Sequence, residues 1–167
     1  MSSGLDRLTD IRLVAFDVDG VFTDGRIYIS DDGSETKAFH TQDGFGVRRL
    51  LRAGVHAAVI SGRNSPAVEK RMAELGVRHV ILGCKDKVAA MQELASSLDI
   101  EMQACVFVGD DVPDLALLDC VGLSVAVANA VAEVRERCDY VTQRRGGSGA
   151  VREVCDLVVA AQRDPSR

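Results

Sequence analysis

Carboxylates collect at two places where an apolar run ends. Leu13-Val14-Ala15-Phe16 leads into Asp17-Val18-Asp19-Gly20, and Val106-Phe107-Val108 leads into Gly109-Asp110-Asp111-Val112-Pro113-Asp114. Two carboxylates two residues apart, just past a buried strand, can face one pocket and serve as nucleophile, acid or base. Three within five positions repel one another unless a cation offsets them. Alone, Asp17-Val18-Asp19-Gly20 reads equally as a turn. It is not an EF-hand loop, which needs an oxygen ligand where Val21 stands and a Glu where Tyr28 stands. A third apolar run ends in Ile60-Ser61-Gly62-Arg63, where a serine and the amides after it can bond phosphate oxygens. By itself that is an ordinary strand-to-helix turn. Lys87 opens a helix pattern, where a cation sits poorly with the macrodipole, although most lysines so placed are simply solvated.

Such scattered residues need a frame that brings them to one edge. Leu13–Phe16, 57–60, 80–82, 106–108 and 123–127 are short and mostly apolar throughout, the pattern of parallel strands covered on both faces. Helix patterns lie between them at 44–53, Pro66–Leu75, 87–98, 112–118 and 131–137, and a last one spans 150–162. Pro66 stands where a first-turn proline is tolerated, and Gly54 and Gly76 where a C-terminal cap belongs. The alternation predicts one α/β domain over 1–167, a doubly wound Rossmann-like parallel sheet with its site at the strands' C-terminal ends. Residues 26–40 break the rhythm. Ile27 and Ile29 alternate with polar neighbours and Asp32-Gly33 supplies turn chemistry, so a β-hairpin is inserted after the first strand. The C-terminal helix and tail take up 149–167, with 163–167 expected to fray.

Composition narrows the function classes. The 167 residues are 47% hydrophobic, too many for a disordered chain, and only 4% aromatic, too few for a base-stacking platform. Twenty Lys and Arg against 25 Asp and Glu leave a net charge of −5, so nucleic acid is not an expected partner. No apolar run approaches 18 residues and the first ten lack an apolar core, so neither a membrane nor a secretory signal is expected. Five cysteines, an odd number with no Cys-x-x-Cys, suit a cytoplasmic chain with reduced thiols.

Taken together and in this order, Asp17-Val18-Asp19-Gly20, Ser61, Lys87 and Gly109-Asp110-Asp111 with Asp114 resemble the haloacid dehalogenase superfamily of phosphohydrolases. The resemblance implies catalytic roles for Asp17, Asp19, Ser61 and Lys87. Asp17 would be the nucleophile that forms an aspartyl-phosphate, and Asp19 the acid and base. Ser61 and Lys87 would hold the phosphoryl oxygens. The implied cofactor is Mg²⁺, held by Asp17, the backbone carbonyl of Asp19, and Asp110. Asp111 would reach the metal through water, and Asp114 would orient Lys87 or the metal's waters. One helix and one strand fill the stretch from Ser61 to Lys87, and the hairpin, a helix and a strand fill that from Asp19 to Ser61. No cap domain fits, which points to an open site covered by other subunits.

Further residues carry the resemblance to a narrower group, the 3-deoxy-D-manno-octulosonate 8-phosphate phosphatases. They are Val21-Phe22-Thr23-Asp24-Gly25, Lys37-Ala38-Phe39-His40-Thr41-Gln42-Asp43-Gly44, Ser61-Gly62-Arg63 and Gly146-Gly147-Ser148-Gly149-Ala150-Val151-Arg152-Glu153. Membership implies a homotetramer acting on a phosphorylated sugar acid of lipopolysaccharide synthesis. By position, substrate contacts are expected at Asp19, His40, Thr41, Gln42, Asp43, Gly44, Arg48, Arg63, Arg71 and Lys87. Where a basic residue often precedes the Asp43 position, this chain has Gln42. Two alternatives stand beside this one: a nine-carbon sugar-acid 9-phosphate phosphatase, whose members tend to carry Glu at the Arg63 position, and a non-catalytic module on the same tetramer. Gly146-Gly147-Ser148-Gly149 reads as a flexible joint or as part of a tail that reaches an active site.

Overall fold

A computed structural model describes residues 4–163, so the expected tail beyond Arg163 lies outside the described residues. A 3-10 turn, Gly4–Asp10, leads into β1 (Leu13–Phe16). A hairpin follows, β2 (Tyr28–Ile29) and β3 (Glu35–Thr36), and then α1 (Thr41–Arg52). Next come β4 (His56–Ile60), α2 (Pro66–Leu75), β5 (His79–Ile81), α3 (Lys87–Ser97) and β6 (Cys105–Gly109). The chain closes with α4 (Leu115–Leu118), β7 (Leu123–Ala126), α5 (Ala132–Arg137), β8 (Tyr140–Val141) and α6 (Ala150–Arg163).

Six strands form one parallel sheet in the order β5-β4-β1-β6-β7-β8, with helices on both sides. Every residue of β1, β6 and β7 is buried, which is why these segments, Ser124 apart, are apolar without alternation. The chain winds from β1 to β4 and β5 in one direction, then crosses back to β6 on the other side of β1. Ligands of such sheets bind in the crevice where the winding reverses. Register sharpens the point: Phe16 pairs with both Val59 and Val108, so the residues after β1, β4 and β6 emerge level with one another. Phe16 and Phe107 anchor the core under this edge, each worth roughly 1.5–3 kcal/mol of burial.

The hairpin stands where the alternation placed it. Asp32 accepts from the Ser34 amide at 2.9 Å, and the Gly33 amide donates to the Ser30 carbonyl at 2.8 Å. Among the described residues, only this hairpin, α1 and β4 separate the first loop from Ser61, and only α2 and β5 separate Ser61 from Lys87. The described residues include no cap domain.

Four local expectations change. Helix α1 begins at Thr41 rather than at Gly44, because the His40 ring accepts from the Gln42 amide at 3.2 Å and caps the helix earlier. The 112–118 helix splits into a 3-10 turn, Val112–Asp114, and then α4, since Asp111 and Asp114 form a capping box around Pro113. The sheet gains a sixth strand, β8, too short to stand out as an apolar run. Gly146-Gly147 is not a free joint: the Gly147 amide donates to the Val21 carbonyl at 3.1 Å. None of the described helices is long and apolar enough to cross a membrane.

Candidate active site

A cleft of about 290 Å³ opens at the level strand ends, lined by Asp17, Asp19, Gly25, Ser61, Gly62, Lys87, Asp110, Asp111, Pro113 and Asp114. Asp17 follows β1, Ser61 follows β4 and Asp110 follows β6, while Lys87 is the first residue of α3. The Asp86 side chain caps that helix by accepting from the Ala89 amide at 2.9 Å. Lys87 is not solvated. Its Nζ donates to Asp114 Oδ1 at 2.7 Å and lies 3.2 Å from Asp17 Oδ2. Burial works against its charge, but Asp17 and Asp114 outweigh that and hold its pKa above the ordinary lysine value. Asp17 Oδ1 accepts from the Val18 amide at 2.7 Å. Ser61 is buried, with Oγ 3.4 Å from the Arg63 amide.

The carboxylates differ in how their charge is met. Asp114 is 1% exposed and fully engaged, with Oδ1 on Lys87 and Oδ2 accepting from the Asp110 amide at 3.0 Å. The Asp110 carboxylate accepts no hydrogen bond among the described residues. Burial, with Asp17, Asp114 and Asp111 close by, pushes its pKa up to about 8. Burial and Asp114 push Asp17 up to about 6 against the pull of Lys87. Carboxylate oxygens of Asp17, Asp110 and Asp114 lie within 4.8 Å of one another. Crowded acids with one uncompensated member suit a hard divalent cation, which takes oxygen ligands. The donor set therefore fits Mg²⁺, with Asp110 the member that has no partner, Asp17 beside it and Asp114 taken up by Lys87.

The first loop is braced from far along the chain. Asn129 Nδ2 donates to the Gly20 carbonyl at 3.1 Å, and Asn129 Oδ1 accepts from the Gly146 amide at 2.5 Å. Gly20 has φ +87° and lies so close to Asp110 that any side chain there would collide with its carboxylate.

A family model for haloacid dehalogenase-like hydrolases matches residues 84–153. The chain is 46% identical over 153 residues to the Escherichia coli K12 3-deoxy-D-manno-octulosonate 8-phosphate phosphatase KdsC, covering 92% of this chain and 81% of that protein. It belongs to the 3-deoxy-D-manno-octulosonate 8-phosphate phosphatase family. A crystal structure of this phosphatase from Yersinia pestis matches with a TM-score of 0.95 at 42% identity, over 97% of this chain and 88% of that one. Another, from Moraxella catarrhalis, holds a magnesium ion, a phosphate ion and a KDO molecule. It matches with a TM-score of 0.94 at 42% identity, over 98% and 94% of the two chains.

For a member of the octulosonate 8-phosphate phosphatase family, the expected sugar contacts are only partly assembled around the cleft. Arg63 borders it: Nη2 donates to Glu35 Oε2 at 2.6 Å and Nε lies 3.7 Å from Asp19 Oδ2. Asp19 and Lys87 line the cleft itself, whereas the remaining expected contacts lie outside it in their own chain. His40 caps α1, and Thr41 is exposed in that helix's first turn. Gln42 lines a separate cavity of about 480 Å³ beside α6, which none of Asp17, Asp19, Ser61, Lys87 and Asp110 lines. Asp43 is buried and its Oδ1 accepts from the Arg152 amide at 2.9 Å, tying α1 to the start of α6. Arg48 donates to the Glu74 carbonyl at 2.8 Å, and the Arg71 guanidinium fills the space beside Gly44. Two residues had no role read for them, Glu35 and Lys37. The Lys37 side chain is 1% exposed, with Nζ donating to Asp19 Oδ1 at 2.5 Å and lying 3.1 Å from Glu35 Oε1. The one available signal was a lysine just after a short strand, in a hairpin whose other side chains are mostly exposed.

Proposed function

We propose that this protein is a Mg²⁺-dependent phosphomonoesterase that hydrolyses 3-deoxy-D-manno-octulosonate 8-phosphate to the free sugar acid and phosphate, in lipopolysaccharide precursor synthesis. The observation that carries the reading is the uncompensated Asp110 carboxylate beside Asp17 and the Lys87–Asp114 pair, on a fold shared with a relative that holds magnesium, phosphate and KDO. Mg²⁺, held by Asp17, Asp110 and the Asp19 carbonyl, would offset the repulsion between carboxylate and phosphate dianion, about 4 kcal/mol per charge pair at ~4 Å and ε ≈ 20. Asp17 attacks phosphorus while Asp19 protonates the departing sugar oxygen. Asp19 then takes a proton from the water that cleaves the aspartyl-phosphate. Ser61 and Lys87 hold the phosphoryl oxygens, and Lys87 is kept aimed by Asp114. Arg63 meets the sugar acid, its planar fork matching a carboxylate or paired hydroxyls.

The reading includes one domain over 1–167 and a cytoplasmic homotetramer joined through the hairpins. Ile27, Tyr28 and Ile29 on the hairpin, all exposed, support the assembly, and five free cysteines support a reducing compartment. His40, Thr41, Gln42, Arg48 and Arg71 would meet substrate only across a subunit boundary. Phosphate release from the eight-carbon and nine-carbon sugar-acid phosphates, each with and without Mg²⁺, tests the function. Mg²⁺-dependent release favouring the eight-carbon ester is expected, and a preference for the nine-carbon ester would overturn the substrate. Asp17→Asn should lower turnover by several orders of magnitude with the fold intact. Retention of more than about a hundredth of the activity would remove Asp17 as nucleophile.

A further inference from the structure

We propose that Lys37, from the base of the hairpin, is a positioning residue for Asp19, and that Glu35 is the counter-charge that holds it there. Lys37 has this role only if Asp19 is the acid and base of the reaction proposed above. The two residues lie in and just after β3, a strand paired over two residues that cannot be stable by itself. Lys37 nevertheless buries its ammonium between two carboxylates, at 2.5 Å from Asp19 and 3.1 Å from Glu35. A buried ammonium must keep its partners, so its place is fixed by the pair it sits between. Arg63 closes the ring, 2.6 Å from Glu35 and 3.7 Å from Asp19. Two acids and two cations balance, and the four side chains join the hairpin to the loop that carries Asp17. No other side chain among the described residues donates a hydrogen bond to Asp19, so its orientation is set by the hairpin.

Orientation matters in a particular way. In the first step the bond between phosphorus and the leaving oxygen breaks as the bond to Asp17 forms, and the proton of Asp19 passes to that oxygen. In the second, water's oxygen bonds phosphorus, the bond to Asp17 breaks, and Asp19 takes water's proton. An alkoxide leaving group needs the first proton, whereas p-nitrophenolate leaves without it. A misaligned Asp19 should therefore slow the first step for the sugar phosphate and spare it for the aryl ester, while slowing the second step for both.

The test is Lys37→Met, which keeps the chain length and removes the charge. We expect kcat/KM for the octulosonate phosphate to fall tenfold or more, and that for p-nitrophenyl phosphate by less than about threefold, within the 10²- to 10⁴-fold typical of a whole acid–base group. The ratio of the two is independent of how much protein is folded. In rapid mixing with p-nitrophenyl phosphate, the first turnover should keep the wild-type rate while later turnovers slow. Equal loss on both substrates, a first turnover slowed as much as the later ones, or no loss at all would each overturn the proposal. The rapid-mixing arm needs only the aryl ester, so refusal of the sugar phosphate by the wild type would overturn the substrate and leave Lys37 to be judged. A wild type that hydrolyses neither ester overturns both. Lys37→Gln keeps an N–H donor beside the carboxylates and should show the same split, which serves if K37M does not fold.

Discussion

At the scale of single residues, charge compensation sorts the acids of the cleft. Asp114 is spent on Lys87 and on the Asp110 amide, whereas Asp110 has no donor and waits for a cation. The sign of the pH dependence follows. Asp17, pushed up to about 6, and Asp110, pushed up to about 8, bind protons more readily folded than unfolded. The metal-free protein should therefore lose stability as pH rises from about 4 towards 8. Mg²⁺ takes deprotonated carboxylates, so its stabilisation should grow over that window. Thermal melts with Mg²⁺ and with EDTA at pH 5.5 and 8 check this, and a metal-free Tm that rises with pH would contradict it. Arg63 is half exposed and keeps donors beyond those on Glu35. Arg63→Ala should lower kcat/KM for the sugar-acid phosphate about tenfold or more, the loss of a charge-assisted contact worth ~1.5–3 kcal/mol. The effect on p-nitrophenyl phosphate should be far smaller, and equal losses would move Arg63 to the phosphate end.

At the scale of elements, the loop after β1, which carries Asp17 and Asp19, is braced by the turn before α6. A side chain at Gly146 would run into the Gly20 carbonyl oxygen. Gly146→Ala should cost roughly 1–3 kcal/mol, as overpacking does, and lower kcat although residue 146 touches no substrate. Chemical denaturation and steady-state kinetics check the two effects, and an unchanged kcat would show that the brace is not needed. This dependence also marks where reading the chain alone stops. The parallel sheet and the helices were legible because buried strands need unbroken apolar runs, and the acids stood out because they end those runs. β8 stayed hidden because two edge residues leave no pattern, and Tyr140 is fixed instead by its hydroxyl, which donates to Glu153 at 2.7 Å. Lys37 stayed hidden because burial of a cation is decided by partners distant in sequence, here Asp19. His40 and Asp43 fall in the segment expected to contact substrate, but their side chains serve helix ends, which spacing cannot separate from ligand contacts.

At the scale of the whole molecule, the first strand of the hairpin presents Tyr28 at 50% and Ile29 at 71% exposure, an apolar edge left open by the described residues. Ile29→Glu should give smaller species by light scattering with an unchanged far-UV spectrum, because each buried Ile is worth roughly 1.5–3 kcal/mol. A variant of the same size as the wild type would count against the hairpin as the subunit contact. The brace between Asn129, Gly146 and the Gly20 carbonyl has a consequence for the order of synthesis. Asp17, Asp19, Ser61, Lys87 and Asp110 all leave the ribosome before Gly146 does. At about 5–20 residues per second, a growing chain spends seconds with all five of those side chains made and the loop that carries Asp17 still without its brace. The loop after β1 gains its hydrogen bond to Asn129, and Asn129 its bond to Gly146, only once both residues have emerged, so synthesis of that distant turn sets when the loop can first be held.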